Sequence, residues 1–367
     1  MTTPFIEQEI LSQPDVLRRV LRESWAEISE CVAPVKHRGV HFVGCGDMFF
    51  AARAVEWQAR LSSSLDVRAW RSMDLRWCGA RLGAEDLVVC ASISGRTQRT
   101  IEAATAARKA GARVIGITDN ADSAFAEAVD DVVLLRTSPT EALAKGVYPG
   151  YHHQIAQTKT YTAALLAELL VLRRAAGGFV AELERVPEEV ERVLRVVDDA
   201  ASESIVSSFD GRSNVVVVAA GPLLPTADYG AAKLLEYAIS SRSQCIEEFN
   251  HLELFVSDDT TLAIVLVQDE VARRRALELL EPWEDVGLRS LVVGGDSEWP
   301  GQRTSIVNAG VPAPELAPFT FATALQLIAY HGARALGRDV DAWLGGVRTQ
   351  LINDASQRTI RGPEIES

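Results

Sequence analysis

The sequence predicts an α/β protein made of two units, each a mainly parallel sheet flanked by helices on both faces. Three observations carry this. Short apolar runs at 87–90, 114–117 and 215–218 read as strands buried on both sides. Helical patterns separate them, so strand, loop and helix alternate as in a covered parallel sheet. The order of elements then begins again after residue 208. A chain of 367 residues holds two domains of ordinary size, at roughly 100–200 residues each. The expected division is a helical segment over 1–35, a first domain over 36–178, a helical linker over 179–208, a second domain over 209–340 and a tail over 341–367.

The elements follow in order. Pro14 and Asp15 precede Val16, Leu17, Val20, Leu21 and Trp25, whose spacings of three and four predict a helix. A strand over 40–43 runs into Gly44, Cys45 and Gly46. A helix over 48–62 and strands over 65–70 and 87–90 come next, and the last strand ends in Ser92-Ile93-Ser94-Gly95-Arg96-Thr97. A helix over 98–110, a strand over 114–118, a short helix over 124–128 and a strand over 132–135 continue the alternation. A long apolar helix over 157–176 closes the first domain. Glu182, Glu184, Arg185, Glu188, Glu189, Glu191 and Arg192 make 180–208 read as a solvated helical linker. The second domain has strands over 215–218, 262–267 and 290–293. Its helices cover 226–239, 271–280 and 320–336, the last ended by Gly337.

Composition excludes several classes. The net charge of −13 disfavours nucleic acid and anionic membrane surfaces as partners. No run approaches the ~18 apolar residues of a membrane helix, and no signal pattern opens the chain, so a cytoplasmic location is expected. Five cysteines (Cys31, Cys45, Cys78, Cys90, Cys245) form no CxxC pair, so neither a disulfide framework nor a cysteine zinc site is expected. His152 and His153 are adjacent, metal-ligand spacing is absent, and no metal is expected. Cations are 32 arginines against 5 lysines.

In open α/β sheets, ligands bind beyond the C-terminal ends of the strands. Gly44-Cys45-Gly46-Asp47-Met48-Phe49 half-matches a dinucleotide fingerprint, but Phe49 occupies the third glycine position and argues against a nicotinamide. Ser92, Ser94, Gly95 and Thr97 place hydroxyls and free backbone N–H groups at a helix N-terminus, as a phosphate requires. Helix capping by Ser94 or Thr97 is the structural alternative. No P-loop lysine accompanies them, so a nucleoside triphosphate is not the expected ligand. Farther on, Lys233 and Glu236 share one helix face among Ala231, Ala232, Leu234, Leu235, Tyr237, Ala238 and Ile239. A carboxylate in such surroundings suits proton abstraction from carbon; a surface ion pair is the alternative. Glu247, Glu248 and Glu253 surround His251 in what reads as a loop, which makes the imidazole a proton carrier.

These residues resemble the sugar isomerase (SIS) family, and specifically the tandem-SIS isomerase half of the glutamine–fructose-6-phosphate amidotransferases. Glu9-Ile10-Leu11-Ser12-Gln13-Pro14 resembles that half's EIxxQP opening. Cys45-Gly46 and Ser92 to Thr97 resemble its CGTS and SQSGET phosphosugar loops, and Gln157-Thr158-Lys159 resembles its STK. Lys233-Leu234-Leu235-Glu236 and Glu248-Phe249-Asn250-His251 resemble KLKE and ELKHGP. The resemblance implies two SIS-type units and a phosphorylated sugar or amino sugar as substrate. It implies that Gly46, Asp47, Ser92, Ser94, Gly95, Arg96, Thr97 and Gln157 bind it. Glu236 would then move a proton between C1 and C2, His251 would open the sugar ring, and Lys233 would support the site. No redox cofactor is implied. A homodimer is, with His251 delivered to the neighbouring subunit's site; the apolar helices at 157–176 and 320–336 would be covered in that assembly.

The departures bear on the reaction. Asp47-Met48 stand where the family has Thr-Ser, and Arg96 stands where it has glutamate, so a carboxylate and a guanidinium are both gained. His251-Leu252-Glu253 replaces HGP. No lysine follows Lys233; the tail offers Trp343, Arg348, Arg358 and Arg361, and arginine forms no imine. The sequence shows neither a glutaminase domain nor an N-terminal cysteine nucleophile, so glutamine is not expected as a substrate. An aldose–ketose isomerase and an amino-sugar-phosphate deaminase or deglycase both fit, and the alternative of another class is a non-catalytic phosphosugar sensor.

Overall fold

The computed structural model describes residues 4–34, 38–77, 81–138, 156–178, 181–212, 214–295, 298–342, 346 and 349–363. Cys78, His152, His153, Trp343 and Arg348 lie outside the described residues.

One sheet contains β1 (Gly39–Gly44), β2 (Val67–Arg71), β3 (Asp86–Ala91), β4 (Arg113–Thr118) and β5 (Asp131–Leu134). All its strands are parallel, in the order β2-β1-β3-β4-β5. The other contains β6 (Asn214–Ala219), β7 (Ser241–Cys245), β8 (Thr261–Leu266), β9 (Arg289–Gly294) and β10 (Thr304–Asn308). Its order, β7-β6-β8-β9-β10, repeats the first strand for strand, again all parallel. β1, β3 and β8 are buried along their whole length, which is why β3 and β8 read as apolar runs and β1 as one interrupted only by the buried His41.

Contacts group the chain into two units. The first sheet belongs with 15–149, 159–184 and 348–367; the second belongs with 1–14, 150–158 and 185–347. The first unit includes α2 (Gln13–Arg19) in the main, α3 (Trp25–Cys31), α4 (Asp47–Ser62), α5 (Ser72–Trp77), α6 (Gln98–Lys109), α7 (Ala124–Glu127) and α8 (Lys159–Ala175), with a π-helical turn over Val20–Ser24. The second includes α1 (Phe5–Leu11), α9 (Val186–Phe209), α10 (Leu224–Glu236), α11 (Ile246–His251), α12 (Glu270–Asp285) and α13 (Ala317–Ala335). A tail helix, α14, spans Thr349–Ile360.

Two expectations change here. The charged stretch read as a solvated linker is α9, whose Val186, Val190, Val193, Val197, Ile205 and Phe209 are buried as it runs along α13. Its charges fill only the outer face of an amphipathic helix. The apolar helices α8 and α13 are buried from Tyr161 to Leu172 and from Phe319 to Ala333, in keeping with their leucine and alanine content. Lastly, the helix expected over 226–239 stops at Glu236, where Ala238 turns with φ 56°, and the polar edge strand β7 follows.

Candidate functional site

β1 and β3 are neighbours, with Val43 opposite Cys90, yet they are not consecutive in the chain. Their C-terminal ends therefore flank the switch point of the first sheet. The loop after β3 is built to hold one shape. Ser92 N–H donates to the Ile117 carbonyl at 3.0 Å, Asp119 N–H to Ile93 at 3.1 Å and Asn120 Nδ2 to Ser94 at 3.3 Å. Gly95 has φ 65°, and a Cβ there would meet Ser123 Oγ at 2.1 Å, so only glycine fits. Ser92 is 2% exposed, and its Oγ has no hydrogen-bond partner among the described residues. Thr97 is the extended N-cap of α6, yet its hydroxyl makes no capping bond. Ser94 Oγ accepts from Arg96 N–H at 3.2 Å, while the Arg96 side chain is exposed.

The loop after β1 adjoins this one. Thr100 Oγ1, in the first turn of α6, lies 3.8 Å from Cys45 Sγ and 2.9 Å from Ser72 Oγ. Gly46, with φ 56°, is the N-cap of α4, and half-buried Asp47 occupies that helix's first turn. A carboxylate there interacts favourably with its own helix dipole. Among the described residues, these strand ends thus bring together a buried hydroxyl without a partner, a cap hydroxyl that makes no capping bond and the positive end of a 12-residue helix. An anion satisfies all three.

The other candidates lie in the second unit. Lys233 is 1% exposed, so the pair with Glu236 is not a surface ion pair. Its ammonium donates to Glu236 Oε1 at 2.8 Å and to the Gln157 main-chain carbonyl at 3.1 Å, and stands 5.1 Å from the centre of the Tyr229 ring. α10 lies close against α13: a Cβ on Gly230 would meet Leu325 Cδ1 at 2.6 Å. Burial, followed by the charges of Glu236, Asp341 and Glu9, pushes the Tyr237 hydroxyl well above its ordinary range. An ammonium in this acidic, dry pocket is held by its partners, because an unpaired buried charge would be costly.

The surroundings of His251 differ from expectation. Residues 246–251 are helical rather than a loop, and a 3₁₀ turn over Glu253–Val256 follows. Arginines claim two of the three carboxylates: Arg275 Nε lies 2.6 Å from Glu247 Oε1, and Arg242 holds Glu253. Glu248 and His251 are exposed. The structure thus joins Gln157, Lys233 and Glu236 directly and leaves His251 at the surface. Sequence reasoning missed Tyr229 and Gln326, which hydrogen-bond at 2.9 Å behind this pair. The signal available was Glu9 and Gln13 of the opening motif, which reach the same network.

Residues 36–171 match the SIS domain family. The chain is similar to the glutamine–fructose-6-phosphate aminotransferase (isomerizing) of Thermus thermophilus, 26% identical over 359 residues. That match covers 92% of this chain and 57% of the relative, so the chain spans a little over half of that protein's length. Among solved structures, the C-terminal domain of the Francisella tularensis glucosamine–fructose-6-phosphate aminotransferase superposes with a TM-score of 0.75 at 20% identity. It covers 93% of this chain and 98% of its own. The glucosamine-6-phosphate deaminase of Thermotoga maritima gives 0.69 at 18% identity, covering 90% and 95%. Both share the fold across nearly the whole chain, and the expected two α/β units, each a parallel sheet flanked by helices, are what the structure has.

Proposed function

We propose that this protein processes a phosphorylated sugar or amino sugar by moving a proton between C1 and C2. It acts as an aldose–ketose isomerase or as an amino-sugar-phosphate deaminase or deglycase. The observation that carries the reading is the buried Lys233 ammonium fixed to Glu236. A carboxylate held in one orientation on an apolar helix is a general base with a defined reach. Ser92, Ser94 and Thr97 take the phosphate, with Gly46, Asp47, Gly95 and Arg96 shaping that loop pair and Gln157 contributing beside Lys233. Glu236 removes the proton from C2 of the open-chain aldose while O1 takes up a proton, giving an enediol, and returns the carbon-bound proton to C1 as O2 gives up its own, leaving the ketose. From a 2-amino aldose the same steps pass through an enolamine to a C2 imine; water then adds, and ammonia leaves. Lys233 keeps the carboxylate oriented and offsets its charge. The relatives' names support the substrate class and leave both branches open.

His251 serves ring opening. Its exposure, beside Leu252, Phe255 and Val256 at 57, 81 and 69% exposed, supports a homodimer that delivers it to a partner's substrate. Mixing Glu236→Gln and His251→Asn subunits restores some activity if both side chains serve one site from different chains. The defining experiment is a thermal-shift screen of hexose and hexosamine 6-phosphates, followed by proton exchange at C2 in deuterated water on each ligand found. Binding without exchange, by wild type as by Glu236→Gln, would make the protein a phosphosugar sensor.

A further inference from the structure

A chain of buried amides and hydroxyls runs behind Lys233. Gln13 Nε2 donates to Gln326 Oε1 at 2.7 Å, and Gln326 Nε2 donates to the Tyr229 hydroxyl at 2.9 Å and towards the Thr158 carbonyl at 3.4 Å. The Tyr229 hydroxyl donates to the Gln157 carbonyl at 3.5 Å, and that same carbonyl takes the Lys233 ammonium. Glu9 accepts from Thr158 N–H at 3.1 Å. Gln13, Gln326, Tyr229 and Thr158 are at most 2% exposed, and Glu9 is 4% exposed. The N-terminal segment is itself pinned: the Phe5 and Ile6 N–H groups each donate to the Asp341 carboxylate at 2.9 Å, and Tyr330 donates to Glu7 at 2.8 Å.

The direction of these bonds has a consequence. With Gln326 Oε1 receiving from Gln13, its amide group faces Tyr229, so the tyrosine accepts there and spends its own proton on Gln157. The Gln157 carbonyl thereby has both lone pairs engaged and one fixed position. Lys233, nearly without solvent, takes its place from that carbonyl, and Glu236 takes its place from Lys233. Such a network rigidifies when every member is satisfied and loosens as a whole when one member is lost.

We infer that Gln326 and Tyr229 are positioning residues that set the Lys233–Glu236 pair, with Gln13 and Glu9 anchoring the network from the N-terminal segment. The inference rests on the reading of Glu236 as the proton-transfer base. Neither residue is assigned contact with substrate, so their loss acts on turnover rather than on phosphate binding.

Tyr229→Phe removes one oxygen and keeps the ring beneath Lys233; Gln326→Met keeps length and removes the amide. Each is expected to lower kcat for C2-proton exchange about tenfold, the order of effect of slight misplacement of a reacting group. KM for the phosphosugar should stay within about twofold. The double variant should be little worse than either single one, because both break the same chain of contacts. A second readout needs no activity. The protein has five lysines, so the Lys233 resonance in protein carrying ¹³C-labelled lysine is resolvable by NMR. Its titration should shift in both variants, and Tyr229→Phe carries the test if Gln326→Met fails to fold. A rise in KM at constant kcat, independent losses in the double variant, or an unmoved Lys233 titration would overturn the inference. If the wild type exchanges no proton with any phosphosugar, the functional proposal falls, and the lysine titration alone decides the positioning claim.

Discussion

The two sheets share one strand order, so each has a switch point with a helix beginning just beyond it, yet the two helix starts are filled differently. After β3, Thr97 leaves the N-terminus of α6 without a side-chain cap, and Ser92 Oγ lies buried with no hydrogen-bond partner among the described residues. After β8, Asp269 Oδ1 accepts the Ala272 N–H at 2.8 Å, so the chain's own carboxylate occupies the N-terminus of α12. Topology supplied two candidate anion sites, and a single acidic side chain closed one of them. Buried charge is also divided unequally. In the second unit Lys233 is paired. In the first, Glu168 in α8 is fully buried, and neither carboxyl oxygen has a hydrogen-bond partner among the described residues. The first unit thus has an uncapped helix N-terminus and the second a buried ion pair, and the phosphate-binding and proton-transfer roles proposed above divide along that line.

The largest expected effect separates those assignments. Glu236→Gln should lower C2-proton exchange by ~10²-fold or more, the usual worth of a general base, while phosphosugar affinity measured by calorimetry is retained. Next comes the open crevice. Replacing Ser92 and Thr97 together by alanine should cost about 2–3 kcal/mol of phosphosugar binding, because bonds to charged groups are each worth ~1.5–3 kcal/mol and their losses overlap. Unphosphorylated sugars should bind the double variant and the wild type alike.

The buried acid gives a pH signature. Burial raises the Glu168 carboxyl well above its ordinary 4.5. The group is then neutral in the fold while it ionises in the unfolded chain, so the stability it allows is complete below pH 4.5 and falls as pH rises towards the folded value. The melting temperature of the wild type minus that of Glu168→Gln should therefore decline from pH 4.5 to pH 8. A flat difference would mean that Glu168 is ionised in the fold. The smallest effect sharpens the contrast between the helix starts: Asp269→Ala should cost about 1 kcal/mol of stability, the typical worth of an N-cap, and leave phosphosugar binding unchanged.

Much of this was legible in the sequence, for identifiable reasons. Strands buried on both faces, such as β3 and β8, announce themselves as apolar runs, and the loop residues Ser92 to Thr97 announce themselves by hydroxyl density at a strand end. The edge strand β7, Ser-Arg-Ser-Gln-Cys, carries no apolar alternation and is held by pairing with β6, so nothing local marks it. The buried face of α9 was hidden by its charges, because a count of Glu and Arg does not show that Val186, Val190, Val193 and Val197 share one face. The partners of Lys233 were hidden by distance along the chain: Gln157 lies 76 residues away. Gln326 bonds to Gln13 across 313 residues, and no spacing rule reaches that far. The charge of His251 reaches Glu247, as its place in the sequence suggests, but the partners that pair with Glu247 and Glu253, the distant Arg275 and the strand residue Arg242, carried no local signal.

In the proposed reaction the hydroxyl loop binds a sugar phosphate and Glu236 moves the proton at its C2. The most direct measurement is C2-proton exchange in deuterated water, followed by NMR, for hexose and hexosamine 6-phosphates and their unphosphorylated counterparts. Wild type should exchange the proton of at least one phosphorylated sugar and of none of the unphosphorylated ones, and Glu236→Gln should lose that exchange. Equal exchange by wild type and Glu236→Gln, or exchange indifferent to the phosphate, would contradict it.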